Sequence, residues 1–95
     1  MENSVLDFWF KKSTPEQWFI KDPDFDESIR LQFSDTLERA MNGEFDKMID
    51  TARSCLALII VLDQFPRNLF RNNKRAFEQD SKALLICKHA IESNY

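Results

Sequence analysis

Glycine is nearly absent, at one residue in 95, and there are only three prolines. A strand-and-turn fold needs such residues at each reversal, so their scarcity excludes an all-β chain and leaves helices joined by short links. Long apolar runs are missing too. The longest, Cys55 to Leu62, is eight residues, far below the ~20 of a membrane-crossing helix. No excess of positive charge exists: 13 Lys and Arg face 16 Asp and Glu, a net charge of -3. That balance gives no overall pull toward nucleic acid or an anionic membrane, and neither is expected as a partner. The start, MENSVLDFWFKK, has no basic lead, and Asp7 interrupts its apolar part, so a secretory signal is not expected. Cys55 and Cys87 are then expected to stay reduced in a cytoplasm. Histidine occurs once. Cys87 and His89, two apart on a helix, point in different directions with no further ligands nearby, so neither metal nor cofactor is expected. His89 reads as an ordinary surface residue on the outer side of the last helix.

What is present is aromatic. Nine Phe and two Trp, within 43% hydrophobic and 31% charged residues, specify one small globular domain with a core of large rings. Val5 to Lys11 reads as a short helix burying Val5, Leu6, Phe8 and Trp9. Thr14, Pro15 and Gln17 form a capping box opening a turn that Trp18 and Phe19 pin to the core. Asp22 caps the first long helix with Pro23 at its first position. Asp24, Asp26 and Glu27 complement its positive end, as a solvated helix start rather than a cation site. Phe25, Ile29, Phe33, Leu37 and Ala40 make its buried stripe. Asn42-Gly43 ends it with a left-handed cap.

After a short connection, Glu44 to Asp50, a helix starts near Thr51 and is apolar on every side from Cys55. Such a helix is surrounded, which makes it central, with Leu56, Ile59, Ile60 and Leu62 expected to be buried. A final helix, capped by Asp80 and reaching Asn94, carries the stripe Ala83, Leu84, Cys87, Ala90 and Ile91. Leu85 lies on its opposite side. The fold class is therefore all-α: antiparallel helical hairpins, about four main helices plus short helical turns.

The run LDQFPRNLFR, Leu62 to Arg71, gathers the polar residues Asp63, Gln64, Arg67, Asn68 and Arg71 around Pro66. Pro66 lacks an N–H and disfavours helical geometry at Phe65, so the central helix is expected to end or kink there. Asp63 to Arg67 and Gln64 to Asn68 are i,i+4 relationships, suited to an ion pair and an amide pair. The cluster contains no Cys, His or serine nucleophile. A structural lock is favoured over anion binding through Arg67, and both over catalysis. Arg67, Arg71, Lys74 and Arg75 interleave with Phe70 and Phe77, a pattern that grips single strands in other proteins, but here a solvated connector is preferred.

The segments VLDFWF, TPEQWF, KDPDF, LDQFPRN and RAFEQD, in this order, resemble the N-terminal half of the bacterial family catalogued as domain of unknown function 924. The resemblance spans almost the whole chain. It implies a tetratricopeptide-like helical architecture, although the tetratricopeptide consensus itself is absent, and it implies no activity. Relatives continue into a second helical half. An apolar patch near Leu85 and Tyr95 and a tendency to self-associate are therefore expected. The expected role is a non-catalytic scaffold that binds a protein partner or another copy of itself. The alternative is a small-molecule anion binder or enzyme using the Asp63/Arg67 corner.

Overall fold

The computed structural model describes residues 1–19, 21–71 and 73–94, with the backbone only for Phe19. The expectations placed on the Phe19 ring and on Tyr95 lie outside the described residues. Among those described, every regular element is helical and no strand occurs. The chain is all-α.

α1 (Glu2–Asp7) begins a turn before the expected start and runs directly into a wider π-helical turn, Phe8–Lys12. Val5, Leu6, Phe8 and Trp9 are all buried, as their spacing required. Ser13 closes that turn: its hydroxyl donates to the Trp9 carbonyl at 2.6 Å and accepts from Trp18 Nε1 at 2.8 Å. In α2 (Pro15–Phe19) the Thr14 N–H donates to Gln17 Oε1 at 2.9 Å and the Gln17 N–H to Thr14 Oγ1 at 3.4 Å, the expected reciprocal box. The Trp18 ring stacks on Trp9, centroids 5.1 Å apart and planes 6° from parallel.

α3 (Pro23–Met41) starts where Asp22 Oδ1 accepts the N–H groups of Asp24 and Phe25 at 3.0 and 3.2 Å. Its stripe Phe25, Ile29, Phe33, Leu37 and Ala40 is buried throughout. Gly43, at φ +86°, turns the chain out of the helix. A Cβ there would sit 3.1 Å from Asp46 Oδ2 in a backbone region L-residues avoid. Glycine is used where it is needed.

α4 (Ala52–Ile59) is capped by Thr51 and Ser54, which exchange hydrogen bonds. It does not stop at the proline. The ladder widens into a π-helical turn, Ile60–Gln64, and continues as α5 (Phe65–Leu69). The Phe65 N–H donates five residues back to the Ile60 carbonyl, and Pro66 follows at once. The missing proline donor thus falls where the register is already shifting, and no ordered end is needed. Phe65 keeps helical angles (φ −61°, ψ −40°) although proline disfavours them. It is fully buried, against Phe8, Trp9 and Phe33 at 6.4, 5.9 and 5.0 Å. Burying one Phe side chain contributes about 1.5–3 kcal/mol, enough to override a local preference. The expected stop is thus a π-bulged continuation.

The α4–α5 rod is central: α1 and α6 (Asp80–Glu92) pack on its first half, and α3 on its second. Cys55, Ala57, Leu58, Ile60, Val61 and Leu62 are buried, but Leu56 is 42% exposed and Ile59 half-buried. Being apolar all round did not mean being covered all round, because one side of the rod is left open. α6 also departs from expectation. It buries Ala83 and Ile86, while Leu84 and Ile91 are exposed, since the helix is turned by its contacts with the rod. Leu85 is exposed as expected. Asp80 is its first residue and caps nothing.

Candidate functional site

The proline corner is a network of carboxylates and guanidinium groups. Arg67 Nη1 donates to Asp63 Oδ1 at 2.7 Å and to the Asp63 carbonyl, while Nη2 donates to Asp80 Oδ2 at 3.0 Å. Its guanidinium lies over the Phe77 ring, 5.1 Å from the centroid. The expected Asp63–Arg67 pair therefore exists, with a partner the spacing did not supply. Asp80 reaches Arg67 because it turns away from its own helix start.

The amide pair does not form. Gln64 Nε2 donates to Asp63 Oδ2 at 2.5 Å, and Asn68 Nδ2 donates to Asp26 Oδ1 at 2.9 Å. Gln64 lies in the π-helical turn and Asn68 in α5, so the widened ladder aims them apart. Arg71 joins the same carboxylate, with Nε 2.6 Å from Asp26 Oδ2 and Nη2 3.1 Å from Oδ1. This bond holds the Arg71 pKa above its ordinary value. Asp26, which the sequence placed in a solvated helix start, is in fact the anchor joining α3 to the corner. Its signal in sequence was only that of an acid near a helix N-terminus; the partners lie 42 and 45 residues away.

Arg75 pairs with Glu38 at 3.3 Å and covers Phe70 at 4.3 Å. The arginines of the basic segment are thus each matched by a carboxylate. His89 is not an outer surface residue: its ring is partly buried, with Nε2 2.8 Å from the Ile49 carbonyl. A carbonyl only accepts, so that nitrogen carries the proton.

The corner is not sealed. A groove of about 340 Å³ runs beside Trp18, Gln64, Arg67, Asn68 and Arg71, and one of about 320 Å³ beside Lys21, Arg67, Arg71 and Phe77. Chemically the network orients and neutralises. Both guanidinium groups are committed to two carboxylate oxygens each, and no nucleophile or histidine stands among them. Among the described residues no set of three or more His, Cys, Asp or Glu side chains is placed to hold a metal ion. No helix among them is long and apolar enough to cross a membrane.

A second site was not anticipated. Trp9, Phe10, Trp18, Leu56, Ile59, Ile60 and Gln64 enclose a groove of about 220 Å³, apolar but for the Gln64 amide. Phe10 stands at its edge, 51% exposed and edge-on to Trp18 at 5.8 Å. Leu56 and Ile59, expected to be core, line it instead.

The chain matches the family described as bacterial protein of unknown function (DUF924) over residues 5–95, and it belongs to that family. It is also similar to a solved structure of a protein of unknown function from Agrobacterium tumefaciens. The two are 38% identical, with a TM-score of 0.92 over 98% of this chain and 52% of that one. The chain thus spans about half the length of that relative. No curated protein matches it.

Proposed function

We propose that this chain, as a member of that family, is one all-α domain acting as a non-catalytic helical scaffold for protein–protein interaction. A tetratricopeptide-like mode of work and a cytoplasmic setting belong to the same proposal. The observation that carries it is the groove of Trp9, Phe10, Trp18, Leu56 and Ile59. Contiguous aromatic and aliphatic surface left open beside a packed core is what a docking segment buries. The polar corner supports the same reading, because its arginines are already committed to carboxylates. Helical peptides displayed on phage, selected on the native protein and counter-selected on Leu56→Glu, test it. Sequences that bind the first and not the second are expected; their absence overturns the proposal.

A second reading keeps the corner as an anion site. It is favoured by the groove where Lys21 stands beside Arg67, Arg71 and Phe77. Melting curves with phosphate and citrate decide it. A rise in Tm that Arg67→Ala abolishes supports this reading, and no rise removes it.

A further inference from the structure

The aromatic groove does not end at Ile59. That side chain also lines a neighbouring groove of about 350 Å³, whose other walls are Asp63, Asp80, Ala83, Leu84 and Cys87. Sharing Ile59, the two form a seam along the open side of the central rod, walled first by Trp9, Phe10 and Trp18 and then by α6 as far as the half-exposed Leu84. Its far end is acidic. Two carboxylates and no basic residue line it, with Arg67 reaching them from the other side. Three of their four oxygens are occupied. Asp63 Oδ1 and Asp80 Oδ2 accept from Arg67, and Asp63 Oδ2 accepts from Gln64. Asp80 Oδ1 is buried without a protein hydrogen-bond partner. The Asp80 side chain as a whole is 40% exposed, and its terminal torsion is soft, so the carboxylate can turn an oxygen outward.

We propose that this seam receives an amphipathic helix that lays apolar residues on Leu56, Ile59 and Leu84 and sets a lysine or arginine against Asp80 and Asp63. The inference rests on the protein-binding role above and specifies its partner. Charge complementarity selects the occupant: a strip with an apolar body and one excess negative charge at its end is matched by a segment with an apolar face and a terminal cation. An acidic segment would bring a third carboxylate to an end holding two. A second copy of this chain would have to present such a face of its own. Leu56 and Asp63 are seven residues apart, about 10 Å along a helix, so the basic residue belongs about seven positions from the apolar anchor.

The selected peptides carry the test. Clones that bind the native protein and not Leu56→Glu are expected to share apolar residues at helical spacing and a Lys or Arg at a fixed distance from them. Replacing that residue by Gln in a synthetic peptide is expected to weaken binding about fivefold. The loss should be absent on Asp80→Asn, whose fold is checked by circular dichroism. The peptide substitution leaves the protein untouched, so the first comparison stands even if Asp80→Asn fails to fold. Clones without a basic preference, with acidic residues in its place, or with a Gln substitution that changes nothing overturn the proposal while leaving the scaffold role intact. So does a concentration-dependent dimer, seen by sedimentation, that Leu56→Glu dissolves and that excludes the peptides. No Leu56-dependent clones at all overturns both.

Discussion

Arg71 is bound to Asp26 through both oxygens of one carboxylate, at 2.6 and 3.1 Å, although 45 residues separate them. The side chains are only 32% and 18% exposed. With Asn68 on the same carboxylate, this bond ties the first turn of α3 to the end of α5.

Removing Asp26 therefore strands two donors at once. Asp26→Ala is expected to cost about 2–3 kcal/mol, between an exposed pair and a fully buried one. In a domain of this size that lowers Tm by roughly 10–20 °C. Arg71→Ala is expected to cost less, and the double variant less than the sum of the two. Thermal unfolding followed by circular dichroism measures all three; an unchanged Tm for Asp26→Ala contradicts the anchoring role.

Arg67 is more exposed than a buried lock would be, at 36%, with Asp63 at 29%, and it is shared with Asp80. Asp63→Ala is thus expected to cost no more than about 1 kcal/mol, because Asp80 still holds the guanidinium. Arg67→Ala leaves two carboxylates facing each other and should cost about 1–2 kcal/mol. Urea titrations separate the two. Equal losses would mean that Asp80 contributes nothing.

Two leucines two residues apart should behave oppositely. Leu58 is fully buried, so Leu58→Ala is expected to cost about 3–5 kcal/mol through lost burial and a cavity. Leu56, open to the groove, should tolerate Ala at less than about 1 kcal/mol. A large loss at Leu56, measured by urea denaturation, would mean that the groove is closed in solution.

The cysteines should separate chemically. Burial, and after it the charge of Asp50, pushes the Cys55 thiol up. At pH 8 a thiol-reactive dye should label the half-buried Cys87 quickly, and Cys55 only as the chain opens. Above about pH 8.5 the unfolded Cys55 loses a proton that the folded thiol retains. Stability must then fall as pH rises, and Cys55→Ala should flatten that alkaline decline. Fast labelling of both thiols by mass spectrometry contradicts the burial.

Much of the fold was legible in the sequence because it depends on neighbours. Asp22-Pro23, the helix start at Thr51, the Thr14–Gln17 box and the Phe25-to-Ala40 stripe are short-range features, and each stands where the sequence put it. The single glycine marks the exit from α3 for the same reason. Composition alone determined that the chain is helical and built around aromatic rings.

The site was decided by tertiary structure. Whether Pro66 ends a helix depends on Phe65, which stays helical because Phe8, Trp9 and Phe33 close around it from other elements. Whether Leu56 is core depends on which sides of the rod α1, α3 and α6 leave open, and an apolar sequence is the same on both sides of that choice. Asp26 and Asp80 look like ordinary helix-start acids until the fold brings Arg71, Asn68 and Arg67 to them. Local spacing specifies backbone geometry over a few residues. Charge pairing and surface exposure are settled by contacts across tens of residues, which no spacing encodes.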